Sequence, residues 1–72
     1  MLDLDHMTMT AIRRETKNQA LLMITAPMKE KLLAAQMCQF NNWRLETNLA
    51  ILTEMSLAGF VEIIDGFVRR RK

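Results

Sequence analysis

The sequence predicts a mainly α domain closed by a β-hairpin: three helices, then two short antiparallel strands. Three observations carry this expectation. Asp65-Gly66 separates two β-type runs, and a two-residue turn of that composition is the strongest short-range hairpin signal, because both turn positions take positive φ. The stretch "RLETNLAILTEMSLAG" places apolar residues at helical spacing and stops at Gly59, a residue that ends helices without a Cβ penalty. Pro27 divides the residues before it into two further helical segments, since the residue before a proline is pushed out of the α region.

The elements follow in order. Residues 1–9 show no clear period and read as a flexible N-terminal arm, followed by one domain over 10–72. Thr8 or Thr10 can cap the first helix through its hydroxyl. From Ala11 to Ile24, Ile12, Ala20, Met23 and Ile24 share a face with polar Thr16, while Arg13, Arg14, Lys17 and Asn18 lie opposite. Pro27 suits the first turn of a second helix, where a missing N–H costs nothing. That helix is expected from about Met28 to Gln39, with Leu32, Leu33, Ala35, Gln36 and Met37-Cys38 inward and Lys29, Glu30 and Lys31 in water. "FNN" reads as a turn, because Asn tolerates the left-handed conformation, and Asn42 can cap a third helix. On that helix Leu45, Leu49, Leu52 and Ser56 form one stripe, with Met55 beside it. The strands are Phe60–Ile64 and Phe67–Arg71, and a two-residue turn pairs Ile64 with Phe67, Ile63 with Val68 and Glu62 with Arg69. The last pair is an opposite-charge match across strands.

The totals bound the possibilities. A chain of 72 residues is one domain, and one this small buries only about 60% of the surface its unfolded chain exposes. Half of the residues are apolar, enough for a core and against disorder. Seven methionines supply adaptable packing. One cysteine, Cys38, allows no intramolecular disulfide and fits a reducing compartment. "MLDLDHMTMT" lacks the basic and apolar regions of a secretory leader, and no apolar run reaches the length of a membrane span. A cytoplasmic protein without a membrane partner is expected.

The net charge of +2 is unevenly placed. Residues 1–64 hold six basic residues against seven acids, a balance of −1. Residues 65–72 hold Arg69, Arg70, Arg71 and Lys72 against Asp65, a balance of +3. The excess sits on the closing hairpin, which suggests an anionic partner.

Helix, helix, turn, helix, hairpin resembles the order of the winged helix-turn-helix superfamily. The resemblance is concrete from Leu49 to Val61. There Leu49, Leu52 and Met55, then Gly59-Phe60-Val61, look like the end of a recognition helix running into the first wing strand, and "IIDGFV" looks like the wing tip. It implies a small prokaryotic or phage-type transcriptional regulator that binds double-stranded DNA, with the third helix in the major groove. An alternative order, "ALLMIT" as a strand before a Pro-started helix, resembles the ribbon-helix-helix dimers; it leaves the hairpin unexplained and ranks second.

Within the winged-helix reading, Arg44, Thr47 and Asn48 are the residues expected to reach base edges, since Arg suits guanine and Asn suits adenine. Arg69, Arg70, Arg71 and Lys72 are expected along the phosphate backbone, positioning the domain without reading sequence. A solubilising tail is the plainer account of those four. The alternative function is a protein-interaction module, an adaptor or inhibitor. It would use an outward Trp43 with Glu46, Ala50 and Glu54, because Trp anchors interfaces and acids on the third helix repel phosphates; a Trp43 packed in the core under the wing would remove half of that argument. A single small reader usually needs two half-sites for useful affinity, so a homodimer on DNA is one arrangement this reading allows, with the oligomeric state itself left open.

No enzyme is expected. There is no Gly-rich phosphate loop, and the single His and single Cys are far apart. His6 with Asp3 and Asp5 reads as a solvated arm before it reads as a metal site, Cys38 as a small core residue, and Glu46 with Glu54 as a solvated face. No cofactor, metal or small-molecule substrate is expected.

Overall fold

The computed structural model describes residues 7–71. Its elements run α1 (Met9–Met23), β1 (Met28–Lys29), α2 (Glu30–Asn41), α3 (Leu45–Leu57), β2 (Val61–Ile64) and β3 (Phe67–Arg70). Three helices and a C-terminal antiparallel hairpin are therefore present, with a two-residue strand added between the first two helices.

Thr8 begins α1. Its backbone is extended, and its Oγ1 accepts from the Ala11 N–H at 3.1 Å, which satisfies one of the helix's orphan donors. Ile12, Thr16 and Ala20 are buried, as is Ile24 just past the helix end. Met23 is only half-buried. Because Leu21–Met23 are helical, the strand required by the ribbon-helix-helix alternative does not form in this segment.

The second helix starts later than its sequence suggests. Pro27 lies in the connection, and Met28-Lys29 pair antiparallel with β3. The Glu30 N–H, at the start of α2, donates to the Gly66 carbonyl at 2.9 Å. Backbone groups that a helical first turn would leave unpartnered are thus taken up by the hairpin. On α2, Leu33, Ala34, Met37 and Asn41 are buried. Leu32, Ala35 and Gln36 are exposed, contrary to the expected inner face.

The turn after α2 is left-handed at Asn42, with φ 62°. Its N–H closes α2 by donating to the Cys38 carbonyl at 2.8 Å, so Asn42 ends the second helix and does not cap the third. The N-cap of α3 is Arg44, on extended backbone and without a side-chain cap bond.

The third helix is rotated relative to its leucine stripe. Asn48, Ile51, Leu52 and Met55 are buried. Leu45 is 41% exposed, and Leu49 and Ser56 are half-buried. Beyond Leu57 the Phe60 N–H donates to the Met55 carbonyl at 2.9 Å and the Gly59 N–H to the Ser56 carbonyl at 3.1 Å. With Gly59 at φ 87°, this is a complete Schellman ending that turns the chain into β2.

The hairpin has the expected register. Ile64 pairs with Phe67, Ile63 with Val68 and Glu62 with Arg69. Asp65 and Gly66 carry φ 53° and 79°, as a two-residue type I′ turn requires. The strand order is β1-β3-β2. One sheet face supplies Val61 and Val68 to a core built with Ala20, Ile24, Leu33, Met37, Ile51, Leu52 and Met55. Each large side chain buried there contributes about 1.5–3 kcal/mol.

A polar cluster lies where the three helices meet. Thr16, Asn41 and Asn48 are all fully buried. The Asn41 Nδ2 donates to Thr16 Oγ1 at 3.0 Å and to Asn48 Oδ1 at 2.8 Å. The Asn48 Nδ2 donates to Asn41 Oδ1 at 3.3 Å and to Cys38 Sγ at 3.2 Å. The Trp43 N–H donates to Asn41 Oδ1 at 2.9 Å, and the Thr16 hydroxyl to the Ile12 carbonyl at 2.8 Å. Among the described residues no buried side-chain nitrogen or oxygen lacks a partner. Asn48 is buried to complete this network, and that rotates α3.

Candidate nucleic-acid interface

Two surfaces carry the residues expected to meet nucleic acid: the outer side of α3 and the hairpin with its neighbours.

On α3 the structure separates the expected base readers. Arg44 is exposed at the helix N-cap and Thr47 is half-buried. Asn48 is fully buried and hydrogen-bonded, so the expectation that it reads a base edge is corrected. Facing away from the buried stripe are Glu46, Ala50, Thr53 and Leu57, all exposed. This side carries no cation along its length. Its small Ala50 and Thr53 would permit close approach, and Thr53 had no signal in the sequence beyond its helical phase.

The residues proposed for protein binding are also redistributed. Trp43 is half-buried and packed against the core, the placement left open beside an outward anchor. The Arg13 guanidinium lies over its ring, 5.9 Å from the centroid, a distance that allows cation–π attraction. Arg13 also bonds the Glu54 carboxylate, and Lys17 Nζ reaches the same group at 3.4 Å. Glu54 therefore ties α3 to α1, and its charge is offset by two cations. Glu46 and Ala50 remain exposed, as expected.

On the hairpin, Arg69, Arg70 and Arg71 are exposed. Arg69 Nη2 meets Glu62 Oε2 at 3.2 Å across the strands. The Arg71 N–H extends the ladder by donating to the Phe60 carbonyl at 3.1 Å. The three arginines line an open groove of about 570 Å³, whose other wall is the connection Ile24–Pro27. Lys72 lies outside the described residues, as do His6, Asp3 and Asp5.

Sequence reasoning missed the contribution of β1. Lys29 stands in register with Phe67 on the hairpin, and Lys29 and Lys31 flank the turn residues Asp65 and Gly66 in a shallow recess that Glu30 also lines, so its two cations face two acids. The signal available was Pro27, which favours extended backbone before it and edge strands around it. Read as a helix start, it hid the strand that brings these lysines to the hairpin.

Among the described residues no cluster of three metal-ligating side chains occurs, and no helix is long and apolar enough to cross a membrane. Comparison with known family models, curated proteins and solved structures found no match.

Proposed function

We propose that the chain is a winged helix-turn-helix domain that binds double-stranded DNA as a transcriptional regulator, with the hairpin as its wing. The observation that carries this reading is the gathering of Arg69, Arg70 and Arg71 with Lys29 and Lys31 around one hairpin, five cations against the three acids Glu30, Glu62 and Asp65 of the same linings. Cations so grouped attract a polyanion and release its counterions on binding.

The burial of Asn48 changes the balance of the mechanism. Phosphate contacts from the hairpin supply most of the affinity, and α3 contributes sequence preference chiefly through Arg44 and Thr47. Trp43 and Glu54, the features favouring a protein partner, are occupied in joining α1 to α3. That is why DNA is preferred here over a protein-interaction module. Two copies on adjacent half-sites would raise the affinity of so small a reader.

The test is a salt series of binding to random duplex DNA. Replacing Arg69, Arg70 and Arg71 by Ala should weaken binding to all duplexes alike. The slope of log affinity against log salt should fall by about 0.9 for each phosphate that is no longer neutralised. Changing Arg44 or Thr47 should shift preference among sequences by ~1–3 kcal/mol per good base contact. Absence of duplex binding by the intact protein at low salt would replace this reading with the interaction-module one.

A further inference from the structure

Apart from the hairpin cations, a groove of about 320 Å³ runs between α1 and the end of α3. Local structure builds both of its walls. On α1, Arg14, Lys17 and Leu21 recur at helical spacing and share one face, with Arg13 beside them. Opposite stands the Schellman ending of α3, where the Phe60 N–H donates to the Met55 carbonyl at 2.9 Å. Such an ending commonly packs these two side chains together, and both line the groove. Met55 is buried, Leu21 is half-buried and Phe60 is 56% exposed, so the floor is apolar and open to solvent at Phe60. Among the described residues no acid lines the groove, whereas Arg13, Arg14 and Lys17 do. Two acids stand beside these cations. Glu54 bonds both Arg13 and Lys17, and Glu15 Oε1 lies 3.8 Å from Arg14 Nε. Three cations against two acids leave one in excess. Arg14, with its side chain 68% exposed, is the least engaged.

We infer that this groove binds a small organic anion with an apolar body: the body lies on Leu21, Met55 and Phe60, and one acidic head meets Arg14 and Lys17 at the rim. Lys17 reaches Glu54 at 3.4 Å, with both side chains at least a third exposed. Such a pair is worth little, so the ammonium turns to a ligand at small cost. Size and chemistry choose the occupant. The volume falls at the lower end of small-molecule sites, about 300–1,000 Å³, which combine a mostly apolar lining with a few polar groups that fix orientation. A docked amphipathic helix needs apolar anchors over about two turns, and three floor residues do not supply them. A nucleic-acid strand would use the cations and leave the floor uncovered. The inference stands apart from the DNA reading, because neither the hairpin cations nor the outer side of α3 takes part.

The experiment titrates naphthoate, an aromatic carboxylate, into the full chain and follows backbone amide resonances and thermal unfolding. Binding should shift the amides of Leu21, Met55 and Phe60. It should also raise the unfolding temperature, as any ligand of the native state does. Arg14→Ala leaves the Glu54 bridge in place and should weaken binding by about tenfold. Phe60→Ala, checked for retained helicity by circular dichroism, should weaken it by a similar factor. Naphthol keeps the rings without the charge, and acetate keeps the charge without the rings; each should bind at least about tenfold more weakly than naphthoate. Equal binding of naphthol would show that the cations are idle, and equal binding of acetate that the floor is idle. Either result overturns the inference. So would the absence of binding at millimolar naphthoate, or amide shifts centred on Arg69–Arg71. Self-association of the free protein that Phe60→Ala abolishes would assign the floor to a second copy and overturn it as well. Absence of duplex binding at low salt removes the DNA reading and leaves this one standing.

Discussion

Two regions of this chain are held together by opposite means. At the helix junction, Thr16, Asn41 and Asn48 are fully buried and joined through side chains up to 25 residues apart in sequence. In the hairpin, a backbone ladder and a two-residue turn set the geometry, and most side chains face water. The junction is non-local, and each member depends on the others, because a buried polar group that loses its partner carries its full desolvation cost. The hairpin is local and additive. The difference teaches that polar side chains fix how the helices pack, while backbone conformation fixes the surface the hairpin presents.

The sharpest way to break this comparison is at Asn41, which has partners on α1, on α3 and in the turn between α2 and α3. Asn41→Ala should cost about 2–4 kcal/mol, combining stranded polar groups with a cavity. A domain of this size has about 4–10 kcal/mol in total, so the urea midpoint should fall steeply. Thr16→Val, which strands one Asn41 N–H but leaves no cavity, should cost about 1–2 kcal/mol. If Asn41→Ala changed stability by less than Thr16→Val, the network would not be what joins the helices.

In the hairpin the turn itself is tested at Gly66. Its φ is 79°, and a Cβ there would meet no atom within 4 Å. Substitution therefore costs backbone strain and nothing else. Gly66→Val should lose about 1–3 kcal/mol, and Gly66→Asn much less, since Asn tolerates the left-handed region. Equal losses for the two in thermal unfolding would show that something other than φ limits the turn.

The same contrast explains what the sequence reveals. The hairpin register, the turn at Asp65-Gly66 and the Gly59 ending are all legible, because each depends on residues within a few positions; the cap of α1 is narrowed to Thr8 or Thr10, of which Thr8 forms it. The rotation of α3 is not. Its leucines, Leu45, Leu49 and Leu52, make a plausible stripe, but Asn48 is drawn inward by Asn41 and Thr16, which no helical period reveals. The site divides the same way. The basic strand 69–71 is plain in the sequence. Lys29 joins it only through the pairing of β1 with β3, and Asn48 leaves the expected reading face for the core.

The smallest effect, and the finest test of the contrast, lies in the Glu62–Arg69 pair. Their side chains are 34% and 56% exposed, and the charges meet at 3.2 Å. Water and salt screen such a pair, so a double-mutant cycle with Glu62→Ala and Arg69→Ala should give a coupling of about 0.2–1 kcal/mol. In 1 M salt, where screening acts over about 3 Å, it should shrink toward zero. A coupling as large as the loss at Asn41 would reverse the comparison and make the hairpin's side chains structural. A small coupling has a functional consequence. An arginine held weakly by Glu62 can exchange that carboxylate for a phosphate at little cost. Under the proposed function, Glu62→Gln should then leave stability nearly unchanged and strengthen duplex binding at low salt, by removing both a competitor for Arg69 and a charge that repels phosphate. Unchanged or weaker binding by Glu62→Gln would place Arg69 outside the phosphate contacts.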